Sequence, residues 1–162
     1  MTTLARLLAV PSVIAVAAVA VACGGDELSP EEFRGQANRI CVEAEQAVER
    51  LDEPSSLEQA GEVLDEADQT LQDARDRLQD LETPGGEAGE RAERYVELFD
   101  EQTEEASEAL DVLREGIEDE DQEKLEEATR QLQQLENEEI DRLARELKLN
   151  ECVGAGPAAP TR

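Results

Sequence analysis

Leucine and alanine recur between residues 57 and 81 at alternating intervals of three and four residues, a spacing that no strand could produce. The positions are Leu57, Ala60, Leu64, Ala67, Leu71, Ala74, Leu78 and Leu81. Side chains at these intervals lie along one side of an α-helix, where leucines fill a seam and alanines permit the close approach of a neighbour. The segment therefore predicts a long helix that packs one face against other helices.

Three further segments carry a similar apolar face, and capping and turn residues separate them. Ser29-Pro30-Glu31-Glu32 has an N-cap serine, a proline at the first helical position and a glutamate three residues after the serine. This first helix is ended by Pro54, and Thr83-Pro84-Gly85-Gly86 predicts the turn before a third helix. The acidic run after Gly116 precedes a fourth helix, which should end near Asn150.

Short connections between long amphipathic helices favour antiparallel neighbours. We therefore predict an all-α fold, an antiparallel four-helix bundle with up-down-up-down topology. Long helical hairpins with coiled-coil-like seams are the alternative, as is a bundle completed by a second chain, because the alanine-rich core is thin. The seam of the third helix is interrupted by two polar residues, Gln102 and Thr103.

The first 22 residues have the plan of a secretory signal peptide. They carry one charge, at Arg6, and then an apolar stretch from Leu7 to Ala22. A permanent transmembrane helix is less favoured, because the stretch is shorter than the ~20 residues that a bilayer requires. Ala20-Val21-Ala22 also satisfies the rule of ordinary signal peptidase, so we expect cleavage before Cys23 in either case.

Ala20-Val21-Ala22-Cys23 resembles the lipobox of bacterial lipoproteins, although leucine is more usual at the place of Ala20. The resemblance implies that Cys23 becomes the first residue of the mature chain and is lipidated. The protein would then be exported and anchored to the outer face of the cell membrane. A secreted protein with a free thiol at Cys23 is the alternative. The predicted divisions are a signal peptide (1–22), a lipidated tether (23–29), a helical bundle domain (30–150) and a flexible C-terminal tail (151–162).

If Cys23 takes lipid, the remaining cysteines are Cys41 and Cys152. An even number of cysteines outside the cytoplasm suggests a disulfide, and the antiparallel bundle brings Cys152 within reach of Cys41. Two separate buried thiols are the alternative. A bridge that closes so long a loop would contribute up to about 4 to 5 kcal/mol in the chain-entropy model.

The formal net charge of −27 makes nucleic acid an unsuitable partner, because phosphate binding needs a basic patch. Residues 95–123 contain thirteen acidic side chains and one basic side chain, Arg114. We expect this acidic end of the bundle to point away from the membrane. Nine basic residues fall toward the end that carries Cys23, namely Arg34, Arg39, Arg75, Arg77, Arg91, Arg94, Arg142, Arg145 and Lys148.

The chain has no histidine, which removes the commonest general base and the usual ligand of haem and zinc. No serine or cysteine is placed with a base as a nucleophile, and paired carboxylates follow from the 42 acidic residues alone. The acidic run 119–123 lacks the glycine and the spacing of an EF-hand, so we interpret it as a solvated turn. We predict no catalytic residue, no cofactor and no metal site.

The lipobox, Asn38-Arg39-Ile40-Cys41 in the first helix, the proline-glycine turn after Leu81 and the late Cys152 resemble small uncharacterised exported helical proteins of actinobacterial type. The resemblance implies no activity. We expect a membrane-anchored, non-enzymatic acidic lipoprotein of the cell envelope, an interaction or structural module with a cationic envelope protein or peptide as its partner. The alternative is a carrier of a small apolar ligand in a groove of the bundle. The oligomeric state is left open.

Overall fold

The computed structural model describes residues 28–135 and 138–153, and within them the chain is helical with no strand. The helices are α1 (Pro30–Val48), α2 (Leu57–Gln79), α3 (Gly86–Glu118), α4 (Gln122–Gln134) and α5 (Glu138–Leu147). They pack against each other as a helical bundle, which confirms the predicted fold class. The predicted signal peptide, Cys23 with the tether up to residue 27, and residues 154–162 of the predicted tail lie outside the described residues.

Local sequence explains where the helices begin. The side chain of Ser29 accepts a hydrogen bond from the amide of Glu32, and the carboxylate of Glu32 accepts one from the amide of Ser29 at 3.0 Å. These two bonds form a capping box at the start of α1. The hydroxyl and the amide of Ser29 both donate to the ionised carboxylate, which lowers the pKa of Glu32. At the start of α4, the side chain of Asp121 accepts from the amides of Glu123 and Lys124.

The central element is α3, against which α2, α4 and α5 all pack, while α1 packs against α2. With 33 residues, α3 is longer than each of its neighbours. Its length is about 50 Å at the ordinary rise of a helix. Because α4 and α5 follow one another along α3, its two halves have different neighbours.

We call the half of the bundle with the start of α3 the proximal tier, formed by residues 30–48, 70–79, 86–102 and 138–153. An ion pair of 2.6 Å between Glu43 and Arg77 shows that α1 runs beside the C-terminal half of α2. Four helices and the chain after α5 share one apolar core there. Its buried members are Phe33, Ala37, Ile40, Cys41, Ala74, Leu78, Ala92, Tyr95, Leu98, Phe99, Ile140, Leu143, Ala144, Leu149 and Cys152.

The other half, the distal tier, is formed by residues 57–69, 103–118 and 122–135. A hydrogen bond of 2.6 Å from Ser107 to Asp68 and an ion pair of 2.7 Å between Arg114 and Asp65 join α3 to the first half of α2. Three of the described helices meet in this tier, because α1 ends at Val48. The buried apolar residues here are mostly small: Ala106, Ala109, Leu110, Ala128 and Leu135.

The fourth helix that we predicted is divided in two, since α4 ends at Gln134 and α5 begins at Glu138. Gln102 is buried on α3 opposite this break, and its side-chain amide donates a hydrogen bond to the carbonyl of Leu135, the C-cap residue of α4. Beside it, the hydroxyl of Thr103 donates to the carbonyl of Phe99 at 2.8 Å. The polar interruption of the α3 seam therefore lies where the partner helix ends.

Replacing Gln102 with methionine, which has a similar shape and no amide, should lower the free energy of unfolding by about 1 to 3 kcal/mol. The reason is that the buried carbonyl of Leu135 loses its donor. The measurement is urea unfolding followed by circular dichroism. The control is Gln131→Met on the exposed side of α4, which should change the value by no more than about 0.5 kcal/mol. Equal effects of the two substitutions would contradict this role of Gln102.

Candidate functional site

The two cysteines that we predicted to pair form a disulfide between α1 and the chain that follows α5. The Cα atoms of Cys41 and Cys152 are 5.3 Å apart across a sequence separation of 111 residues. Beside the bond, the side chain of Asn38 donates to the carbonyl of Lys148 at 3.3 Å and accepts from the amide of Glu151 at 3.1 Å. Residues 151–153, which the sequence placed in the tail, thus form a turn that is held against α1.

The predicted lipidation site, Cys23, lies outside the described residues. Leu28 is the first described residue, and its side chain packs against the core of the proximal tier. The chain therefore enters the bundle at the proximal tier, next to the start of α1.

Basic side chains of the proximal tier contact carboxylates of their own helix and of neighbouring helices. Arg94 on α3 contacts Glu97 at 2.7 Å and Glu139 on α5 at 3.5 Å. The hydrogen bond to Glu97 and the nearby charge of Glu139 raise the pKa of Arg94. Ion pairs as exposed as these contribute at most about 1 kcal/mol each to stability. Their main consequence is that positive and negative charge are interspersed at this end.

The distal tier carries the opposite charge distribution. Residues 104–130 contain twelve acidic side chains and three basic ones. Two of the basic side chains are each shared between two carboxylates. We call the acidic side chains of this segment the distal acidic surface: Glu104, Glu105, Glu108, Asp111, Glu115, Glu118, Asp119, Glu120, Asp121, Glu123, Glu126 and Glu127.

The shared cations show how strongly this surface attracts positive charge. Lys124 lies 2.9 Å from Asp119 and 3.1 Å from Glu115, and its hydrogen bonds to these carboxylates raise its pKa. Arg114 contacts Asp111 and, at 2.7 Å, Asp65. Because each of these two cations already has two acidic partners, neither is left to offset the other carboxylates of the surface.

A groove of about 930 Å³ lies within this tier, between the start of α2, the end of α3 and α4. Apolar side chains that line it are Leu57, Ile117 and Leu125, and Glu120 and Glu126 add carboxylates. The groove is open to solvent. Leu57, the first residue of α2, is 57% exposed.

The groove lies where α3 and α4 contact each other and where α2 begins. Gly116 lies at the contact of α3 with α4, where an added Cβ atom would be 2.9 Å from a methyl group of Leu125. α3 and α4 are therefore in close contact where Gly116 and Leu125 line the groove. On the other side, α1 ends at Val48 and does not accompany the first half of α2. The repeat predicted Leu57 as a seam residue, whereas the structure places it at the first position of α2 and leaves it exposed.

Within residues 28–135 and 138–153, no three cysteine or acidic side chains are grouped so that they could hold a metal ion. Burial raises the pKa of Tyr95, whose ring lies in the proximal core beside Phe99. None of the helices in the described ranges is long and apolar enough to cross a membrane.

We compared the chain with models of protein families, with curated proteins and with solved structures, and none of the three comparisons found a match. Any functional assignment must therefore be argued from the residues and geometry of this chain.

Replacing both Cys41 and Cys152 with serine should lower the free energy of unfolding by about 2 to 4 kcal/mol, because the bond no longer constrains the unfolded chain. Denaturant titration of both proteins, with and without a reducing agent, measures this loss. The reducing agent should destabilise the natural protein and leave the double variant unchanged. The control is Cys23→Ser, which keeps the bond and should unfold like the natural chain. Identical unfolding midpoints for the natural protein and the double variant would contradict the prediction.

Proposed function

We propose that the protein is a non-enzymatic lipoprotein of the cell envelope, which is anchored to the outer face of the membrane through Cys23 and binds a cationic envelope protein or peptide. The observation that carries the proposal is the separation of its two ends. The chain enters the bundle at the proximal tier, where Leu28 packs, and the distal acidic surface lies toward the other end of α3.

The anchor would orient the bundle. Four residues separate Cys23 from Leu28, and five extended peptide units reach at most about 18 Å. A lipid at Cys23 would hold the proximal tier near the membrane. The distal acidic surface, at the far end of a helix of about 50 Å, would then point outward. Anionic lipid headgroups would favour the same pose, since they repel the more acidic end.

A binding role fits the charge better than a catalytic one. The chain has no histidine, and its net charge of −27 attracts cations while repelling nucleic acid. A dense set of carboxylates such as the distal acidic surface accelerates the encounter with a basic partner. Faster association is the usual contribution of charge to recognition.

The groove favours a second candidate, a carrier of a small apolar ligand. Leu57, Ile117 and Leu125 would contact such a ligand. However, small-molecule sites bury most of the surface of their ligand, whereas this groove is open and includes Glu120, Glu126 and Arg130. The interaction module is therefore the function that we favour.

The anchor is tested by the intact mass of the protein purified from bacterial membranes. We expect a chain that begins at Cys23, carries the mass of a diacylglycerol-containing adduct and gains two hydrogens on reduction of its disulfide. Cys23→Ser should move the protein from the membrane to the soluble fraction, because the attachment atom is lost. Recovery of an unlipidated natural chain in the soluble fraction would mean that the protein is secreted, and the anchoring proposal would fail.

Binding by the distal acidic surface is tested by titrating the protein with an oligolysine peptide. Glu118→Gln with Glu123→Gln should weaken binding by about five-fold, since each exposed charge pair contributes about 0.5 kcal/mol. The matched control, Glu82→Gln with Glu90→Gln, removes the same charge from exposed positions in the connection before α3 and in the first half of α3, and should have a smaller effect. Equal losses from the two pairs would show that net charge alone attracts the peptide.

A further inference from the structure

We infer that the groove of the distal tier is the docking site for one amphipathic helix of a basic partner protein. The inference rests on the proposed function, because two members of the distal acidic surface that would attract the partner, Glu120 and Glu126, line this groove. It adds the place of contact and the shape of the partner.

The groove of the distal tier exposes apolar side chains. A single exposed leucine needs no explanation in a folded protein. Here Leu57 is 57% exposed and lines the same groove as Ile117 and Leu125, which belong to two other helices. Three apolar side chains from three helices thus face one concave surface, and covering them would remove apolar area from water.

The two tiers differ in the number of described helices that surround them. Four helices surround the core of the proximal tier, whereas α2, α3 and α4 are the described helices that meet in the distal tier. α1 stops at Val48, and a mostly exposed connection without helix, residues 49–56, leads from there to the start of α2. Because the groove is open to solvent, a helix that occupied it would contact it through one face. Amphipathic helices bind such grooves through residues spaced three and four apart.

The acidic side chains at the groove favour a basic partner. Glu120 and Glu126 line the groove with Arg130, and residues 104–130 around it carry twelve acidic and three basic side chains. Because Lys124 and Arg114 already contact two carboxylates each, a partner with lysine or arginine beside its apolar face would find acidic side chains on the rim. A second copy of this chain, with its net charge of −27, would be repelled.

The test uses the membrane-anchored protein in nanodiscs of zwitterionic lipid, with empty nanodiscs as the blank. One probe is a peptide of leucine and lysine, about four helical turns long, with its leucines spaced to form one apolar face. The other probe has the same composition with the leucines scrambled. Isothermal titration calorimetry at about 0.15 M salt should show that the amphipathic peptide binds at least about ten-fold more tightly.

The decisive variant is Leu57→Asp. It removes an apolar contact and adds a negative charge, so electrostatic attraction of a basic peptide would increase while groove binding would decrease. Aspartate is favourable in the first turn of a helix, so α2 should still form. The matched control is Val48→Asp, which adds the same charge at another exposed apolar side chain, one that does not line the groove. We expect Leu57→Asp to weaken binding of the amphipathic peptide about ten-fold and Val48→Asp to leave it within about two-fold.

Other results would overturn the inference in distinguishable ways. Equal affinity for both peptides, with no loss in Leu57→Asp, would leave the acidic surface as the binding feature without the groove. Absence of binding by either peptide even at about 0.01 M salt would overturn the proposed function as well. An apolar small molecule that co-purifies in native mass spectrometry and is lost in Leu57→Asp would assign the groove to a ligand. A dimer of the natural chain that Leu57→Asp dissociates would assign it to a second copy.

Discussion

The length of α3 is the constraint on which the other helices of this bundle depend. Its 33 residues present an apolar side longer than α4 or α5 can cover separately, so both are needed. Where the first of them ends, the carbonyl of Leu135 is buried, and a buried carbonyl without a partner is costly. Gln102 supplies the donor. A polar residue in the α3 seam is thus part of the arrangement by which two short helices pack on a long one.

The difference in length between α3 and the other helices also makes the two tiers differ. In the proximal tier α1 and α5 complete the core, and the disulfide of Cys41 with Cys152 ties the first helix to the chain after the last. Within the described ranges, the distal tier has no such closure, and three of its five buried apolar side chains are alanines. Stability therefore comes mostly from the end at which the chain enters the bundle. The other end is left with an open apolar groove and a high density of carboxylates, the two features on which the proposed binding role rests.

Much of this architecture followed from local patterns. The leucine-alanine repeat predicted α2, the serine, proline and glutamate at residues 29–32 predicted the start of α1, and the proline-glycine turn predicted the start of α3. The division of the last helix was missed because neither proline nor glycine marks it. A weaker signal was present, since the apolar spacing widens to five residues between Leu135 and Ile140.

The sequence alone thus determined the helical class, the order of the predicted helices, the strongly acidic character and, through the cysteine count, the expectation of a disulfide. These features follow from interactions within one or two helical turns or from composition, which is why they can be read along the chain. The tertiary structure alone decided that Leu57 is exposed and that Gln102 has a partner. A periodic pattern identifies the face that a helix can bury. Whether another helix is long enough to cover that face depends on elements far away in the sequence.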